Sequence, residues 1–80
     1  MSLNREALIE FLGSDLGLNT SEISDETPLF TSGALDSFSM VDLVMMMETE
    51  GGFRMSPGEV TLDNLDSIRR ILSYVQSKLA

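Results

Sequence analysis

Asp36 and Ser37 are the residues of this chain whose types and spacing favour a chemical role. They lie in the run GALDSF at residues 33–38, where a long polar loop meets an apolar segment. An Asp-Ser pair before a helix is often only an N-terminal cap. A serine at a helix start is also a favourable site for an attached phosphate, because free backbone N–H groups and the positive end of the helix dipole both stabilise an anion. Ser37 is therefore the first candidate for a modification site.

Conventional catalysis lacks most of the residues it needs. The 80 residues include no cysteine and no histidine, so thiol chemistry, disulfides, thiolate metal sites and the commonest general base are missing. The G-x-S-x-G motif, the calcium-loop pattern and the phosphate-binding glycine motifs are also absent. Asp25 and Glu26 are neighbouring carboxylates without another catalytic signature. We therefore expect neither an enzyme nor a metal site.

The charge balance narrows the choice of partners. The chain has thirteen acidic and five basic residues, which gives a net charge of −8. Ten of the acids lie between Arg5 and Arg54, a stretch with no basic residue. Such a surface is a poor partner for nucleic acid. Apolar runs are far shorter than the ~20 residues of a membrane helix, and no secretory signal opens the sequence. We expect a cytoplasmic monomer whose acids either keep it soluble or steer basic partners toward it.

The elements that must position Ser37 are helices. Apolar periodicity and capping residues predict long helices at residues 4–16, 37–50 and 65–78, one short turn at residues 57–60, and no strand. Asn4 and Asp36 are the expected caps of the first two helices, and Asp63 or Asn64 that of the last. The predicted fold is all-α, a small bundle of three main helices plus a short fourth, in a single domain over residues 1–80.

The expected core combines one face of each helix with apolar residues of the long loop between the first two helices. Its predicted members in the first helix are Leu8, Leu12 and Leu16, with Ile9 and Phe11 widening the apolar face. The other predicted members are Ile23, Leu29, Phe30, Leu43, Met47, Leu65, Ile68, Ile71, Leu72 and Val75, and Val44 is left open. The second helix has more apolar side chains than a core face needs, and a helix buried on all sides is hard to accommodate in 80 residues. The surplus predicts contact with a partner protein. Met46 is left open between the core and this contact surface.

The sequence resembles the acyl carrier protein family, which includes peptidyl and D-alanyl carrier proteins. The Asp36-Ser37 pair is similar to the family's attachment motif at the start of its second helix. Three further segments resemble the family in order and at suitable spacing: LGSDLGL at residues 12–18, TPLF at residues 27–30 and LDSI at residues 65–68. The resemblance covers nearly the whole chain.

The resemblance implies a carrier that is not itself an enzyme. Ser37, preceded by Asp36, would carry covalent 4′-phosphopantetheine, transferred from coenzyme A by a phosphopantetheinyl transferase. The thiol of that arm would hold an acyl or aminoacyl group as a thioester for loading enzymes and downstream biosynthetic enzymes. Family members present an acidic second helix to basic patches on these partners, and the matching positions here are Phe38, Val41, Asp42, Met45 and Glu48, with Asp36 and Glu50 as further charges.

Several positions depart from the pattern of fatty-acid carriers. Leu35 and Phe38 flank the Asp-Ser pair in a form that looks closer to D-alanyl and other specialised carriers. Gly51 and Gly52 add more glycine than is usual after the second helix. These differences leave the cargo open among fatty-acid, polyketide, aminoacyl and specialised lipid pathways. The alternative function is a small acidic helical adaptor without a prosthetic group.

Overall fold

Four α-helices and two short 3₁₀ turns build the fold. The computed structural model describes residues 3–79. The α-helices are α1 (Arg5–Ser14), α2 (Ser37–Gly51), α3 (Leu62–Leu65) and α4 (Ile68–Leu79), and the 3₁₀ turns are Thr20–Glu22 and Pro57–Glu59. No strand occurs among these residues, so the predicted all-α fold with three longer helices is confirmed. No helix in this part of the chain has the length and apolar character needed to cross a membrane.

The core lies around α4, which contacts each of the other three helices. Most of the predicted core residues are confirmed as buried. The predicted residues that are only half-buried, although they pack against the core, are Ile9, Phe11, Leu16, Ile23, Phe30, Val44 and Leu72. The largest fully buried side chains are Leu8, Leu12, Leu29, Leu43, Met47, Leu65, Ile68 and Ile71.

Helix α1 begins where the sequence predicts and ends two residues earlier. The side chain of Asn4 accepts a hydrogen bond of 2.8 Å from the amide of Ala7, which confirms the predicted cap. The helix ends at Ser14 because the amides of Asp15 and Leu16 both donate to the carbonyl of Phe11. Gly17 then takes the left-handed conformation (φ 73°) that turns the chain away.

Helix α2 ends in a close contact that only glycine allows. Gly52 caps the helix in the left-handed conformation, with φ 72°. Gly51 is buried, and a Cβ atom built on it would lie 2.8 Å from Cδ2 of Phe53 and closer still to Cε2. The ring of Phe53 packs edge-on against Tyr74 at a centroid distance of 5.8 Å. The glycine pair that departs from the family pattern thus lets the chain fold back over the end of α2.

The predicted start of the last helix at Leu65 is wrong, because the segment is split into α3 and α4 at Asp66. The carbonyl of Asp66 accepts a hydrogen bond of 2.7 Å from the amide of Leu29, which lies in the long loop. Its backbone angles (φ −81°, ψ 1°) leave the helical region. The bond to a distant segment therefore interrupts the helix that the local sequence favours.

The caps predicted for that helix are also wrong. The hydroxyl of Ser67 accepts a hydrogen bond from the amide of Arg70 at 3.1 Å and so caps the start of α4. Asn64 instead donates through its side-chain amide to the carbonyl of Glu59 at 2.9 Å. Asp63 lies 3.4 Å from the guanidinium of Arg70. Both predicted caps therefore hold neighbouring segments together.

The long loop before α2 is pinned to the rest of the molecule. Leu29 is fully buried, as predicted, and Leu35 is a further buried anchor that the sequence did not single out. The amide of Leu35 donates to the carbonyl of Leu29 at 2.8 Å. Asp25 pairs with Arg5 at 2.7 Å, and Glu26 pairs with Arg69. The two neighbouring carboxylates are therefore structural ties between the loop, α1 and α4.

Candidate functional site

Asp36 and Ser37 form the start of α2. Asp36 has an extended backbone, and its carboxylate accepts a hydrogen bond of 2.9 Å from the amide of Ser39. Its carbonyl accepts the first helical hydrogen bond, 3.0 Å from the amide of Met40. The bond from the Ser39 amide lowers the pKa of Asp36 below its ordinary value of 3.8, so the carboxylate is ionised at neutral pH. The predicted capping role of Asp36 is confirmed.

Ser37 presents its hydroxyl to solvent. The residue is exposed at the first position of a 15-residue helix. Within residues 3–79 its hydroxyl makes no hydrogen bond with another group. The first amides of a helix have no carbonyl acceptor within it and carry the positive end of the dipole, so a phosphate ester is favoured at this position. An open, unbonded hydroxyl beside these amides fits a covalently attached phosphopantetheine group.

The segment before Ser37 is held by a carboxylate from the other end of the chain. Asp66 is buried, and one of its oxygens accepts hydrogen bonds from the amides of Phe30 (2.7 Å) and Thr31 (3.1 Å). The other oxygen accepts a hydrogen bond of 2.7 Å from the hydroxyl of Thr31. Burial alone would raise the pKa of Asp66, but these hydrogen bonds outweigh it and lower the pKa below 3.8. The one hint in the sequence was an acid within an otherwise apolar core segment.

Large apolar side chains project from α2 beyond Ser37. Phe38 is 81% exposed, Met45 is 60% exposed and Val41 is 58% exposed. Because α2 turns once every 3.6 residues, these three share one side of the helix, opposite the buried Leu43 and Met47. The division of α2 into a core side and an exposed apolar side agrees with the sequence prediction.

The predicted acidic residues of α2 differ in their surroundings. Asp42 is exposed and lies one turn after Phe38 on the same side of the helix. Glu48 is half-buried, and its carboxylate accepts a hydrogen bond of 2.7 Å from the amide of Met55. Glu48 therefore has a structural role at the end of α2 that its place in the sequence did not predict. The side chain of Asp42 makes no hydrogen bond or ion pair within residues 3–79.

The described part of the chain contains no group of three or more acidic side chains placed to hold a metal ion. The nearest carboxylate in sequence to Ser37 is that of Asp36, and its hydrogen bond to Ser39 commits it to capping. The features at the start of α2 are thus a free hydroxyl, helix amides, and an exposed apolar and acidic surface beside them. They suit covalent attachment and presentation of a group to a partner, rather than catalysis by this chain.

Comparison with known proteins points to the same chemistry. Residues 6–75 match the family model described as the phosphopantetheine attachment site. The chain is 35% identical over 71 residues to the D-alanyl carrier protein of Abiotrophia defectiva, an alignment that covers 89% of this chain and 78% of the relative. It is 31% identical over 68 residues to the acyl carrier protein of Thermotoga maritima, covering 85% and 82%.

A third relative, the D-alanyl carrier protein of Leuconostoc citreum, is 27% identical over 73 residues, which cover 91% of this chain and 92% of the relative. The family match spans most of the chain, and the relatives align over most of their own length. The chain therefore belongs to the phosphopantetheine-attachment family of carrier proteins, which carry 4′-phosphopantetheine covalently and are not themselves enzymes.

Proposed function

We propose that Ser37 is the residue that carries 4′-phosphopantetheine in this carrier protein. The observation that carries the proposal is the exposed hydroxyl of Ser37, free of hydrogen bonds within residues 3–79, directly after the Asp36 cap and at the first position of α2. When attached, the group supplies a terminal thiol that holds an acyl or aminoacyl group as a thioester. The chain has no cysteine of its own, so this thiol has no competitor in the protein.

The attachment step assigns different tasks to Ser37 and Asp36. The hydroxyl oxygen of Ser37 forms the new bond to the phosphorus next to pantetheine in coenzyme A, and the bond from that phosphorus to adenosine 3′,5′-bisphosphate breaks. Asp36 is a weak base, because its pKa is lowered and its carboxylate accepts the Ser39 amide. The proton of the hydroxyl therefore goes to a base of the transferase, while Asp36 fixes the helix start.

Intact mass spectrometry tests this assignment. The chain is incubated with coenzyme A and a broad-specificity phosphopantetheinyl transferase, and we expect a mass increase equal to one phosphopantetheine. Ser37→Ala should remain unmodified. Ser73→Ala is the matched control, because Ser73 is an exposed serine on α4, and it should be modified like the parent chain. An increase that persists in Ser37→Ala contradicts the assignment. No increase in the parent chain favours the adaptor function.

We further propose that the cargo is an aminoacyl group. The LDSF form at residues 35–38 and two relatives named as D-alanyl carrier proteins support it, while a relative named as an acyl carrier protein supports an acyl group as the alternative. The phosphopantetheine-bearing chain is incubated with ATP, D-alanine and a D-alanine–carrier ligase, and in parallel with a fatty acid and an acyl-carrier synthetase. A mass increase of one alanyl group supports the proposal, and loading by the fatty acid alone overturns it.

Phe38, Val41, Asp42, Met45 and Glu48 form the proposed recognition face. The exposure of the three apolar side chains and of Asp42 supports this role, since large exposed apolar side chains on a small protein commonly mark a binding surface. The proposed partners are the phosphopantetheinyl transferase, the loading enzyme and downstream biosynthetic enzymes. A basic patch on each partner would meet the acidic side chains of α2.

The organisation of the whole protein completes the proposal. One carrier domain over residues 1–80 is supported by a core to which all four helices or their flanking loops contribute within residues 3–79. Monomeric behaviour and a cytoplasmic location stay predictions. Sedimentation of the purified chain checks the first, and fractionation of cells that express it checks the second.

A further inference from the structure

A groove with an apolar floor separates α1 from α2. The apolar residues that line it, here called its floor, are Ala7, Phe11, Met45 and Met46, and Ser14 and Thr49 line it as well. Phe11 and Met46 are half-buried and pack against the core, whereas Met45 is 60% exposed. The groove is open to solvent, and apart from Asp15 its lining residues belong to α1 and α2. It is the kind of surface that a second helix can cover.

Carboxylates line the groove from both of its sides and are here called its acidic rims. They are Glu10 of α1, Asp15 directly after the end of α1, and Asp42 and Glu50 of α2. Within the described part of the chain none of the four makes an ion pair or accepts a hydrogen bond through its side chain. The groove therefore has negative charge along both rims and an apolar surface between them.

Most acidic side chains outside the groove have a bonded partner within residues 3–79, whereas the four that line it have none there. Of the thirteen acids, four are paired with a basic residue and three more accept hydrogen bonds that hold a helix start, a loop or a helix end. This leaves six acidic side chains within residues 3–79 with neither kind of bond. Four of those six line the groove, and the other two, Glu6 and Glu22, lie outside it.

The folded chain does not compensate these four charges. Like charges gathered along one groove repel each other and weaken the compact state, so they stabilise nothing within the isolated molecule. Positive charges from outside would relieve the repulsion. Apolar side chains of a partner protein would also remove the apolar floor of the groove from water.

We propose that this groove binds a basic amphipathic helix of a partner protein. The partner's Lys and Arg side chains would face the two acidic rims, and its large apolar side chains would cover the floor formed by Phe11, Met45 and Met46. From Ala7 to Ser14 the groove extends along about 10 Å of α1, enough for about two turns of a docked helix. The proposal goes beyond the recognition face, because it places half of the partner contacts on α1.

A synthetic peptide tests the proposal without any modification of Ser37. The probe is a helix-forming peptide of about 15 residues with a Leu face and a Lys face, labelled for fluorescence anisotropy at low salt. We expect it to bind the unmodified chain and to shift amide NMR signals of residues 7–15 and 42–50. A peptide in which Ser replaces every Leu should bind much more weakly, because it cannot cover the groove floor.

Two double variants with the same change in charge give the decisive comparison. Glu10→Gln with Asp15→Asn removes the α1 rim and should raise the Kd about three- to tenfold, as expected for two exposed charge pairs. Glu6→Gln with Glu22→Gln removes the two unbonded acids outside the groove and should leave the Kd within about twofold. Circular dichroism verifies that both variants stay folded.

Equal weakening in the two double variants would mean general charge attraction and would overturn the proposal. No binding by the parent chain would overturn it as well, and so would NMR shifts confined to other surfaces. None of these outcomes depends on phosphopantetheine attachment, so failure here is distinguishable from failure of the proposed role of Ser37.

Discussion

Single residues of α2 divide the helix between folding and recognition. Leu43 and Met45 are two positions apart, yet Leu43 is fully buried and Met45 is 60% exposed. Because successive helical positions differ by about 100°, one side chain contributes to the core while the other projects toward solvent. The two residues therefore separate the free energy of unfolding from partner binding in a single experiment.

We expect Leu43→Ala to lower the free energy of unfolding by about 2–5 kcal/mol, because it leaves a cavity in the core. This is a large share of the roughly 4–12 kcal/mol typical of a chain of this length. Met45→Ala should change it by less than about 0.5 kcal/mol and should slow modification by the transferase. Denaturant melts and a mass-based modification rate measure the two effects. Equal destabilisation by both variants would remove Met45 from the recognition face.

Gly51 offers a second test at the residue scale. A Cβ atom at this position would collide with the ring of Phe53, which is itself packed against Tyr74. Gly51→Ala should lower the free energy of unfolding by about 1–3 kcal/mol. Gly58→Ala is the matched control, since a Cβ atom there meets nothing within 4 Å and φ is not positive. If the two variants melt at the same temperature, the close contact at the end of α2 is not what requires glycine.

At the scale of elements, the start of α2 depends on the junction between α3 and α4. The backbone and side chain of Asp66 together bind Leu29, Phe30 and Thr31, which precede Ser37 by several residues. Ser37 is thus positioned by a local cap and by a segment about thirty residues later in the chain. A change at Asp66 should affect both the stability of the fold and the presentation of Ser37.

Asp66→Ala should lower the free energy of unfolding by about 1–3 kcal/mol, because it leaves the partly buried amides of Phe30 and Thr31 without an acceptor. Asp66→Asn keeps an acceptor but does not titrate. Since the folded pKa of Asp66 is below its ordinary 3.8, the carboxylate stabilises the fold fully above that pH, and this contribution is lost as the pH falls through the folded value. The stability difference between the parent chain and Asp66→Asn should therefore shrink in acid. A constant difference in urea melts from neutral pH to pH 3 would contradict this.

At the scale of the whole molecule, the basic residues and the unpaired acids occupy different regions. Four of the five basic side chains form ion pairs that fasten the long loop, the turn at Pro57–Glu59 and α3 to neighbouring helices. Among residues 3–79, the four acids that line the groove between α1 and α2 have no such partner: Glu10, Asp15, Asp42 and Glu50. Unpaired negative charge is therefore concentrated at the groove, which Asp42 and Met45 of the recognition face also line.

This asymmetry predicts that association with the transferase slows as salt rises, because exposed charges are screened beyond about 10 Å at 0.1 M. Asp42→Asn should lower the association rate at low salt and flatten its salt dependence. Glu22→Gln, an equal change of charge outside both the recognition face and the groove, should affect the rate much less. Stopped-flow measurements at several salt concentrations compare the variants. The same salt dependence in Asp42→Asn and the parent chain would place the encounter surface elsewhere.

The sequence by itself determined the features that depend on local interactions. Asp36 caps α2 through a bond to an amide three residues away, so the start of that helix could be read from neighbouring residue types. The spacing of Leu43 and Met47 likewise fixed which side of α2 faces the core. Helical periodicity and capping act over a few residues, and a linear pattern contains that information.

Only the tertiary structure decided the features that depend on distant partners. Asp66 interrupts the last helix because its carbonyl bonds to the amide of Leu29 in the long loop, although the local sequence favours a continuous helix there. The carboxylate of Glu48 accepts a hydrogen bond from the amide of Met55, beyond the end of α2, although its place in the helix predicted an exposed charge. The groove exists only because packing places two acidic helix sides next to each other. Long-range hydrogen bonds and helix packing select among conformations that local preferences leave nearly equal in free energy, so these features follow from the fold rather than from the order of the residues.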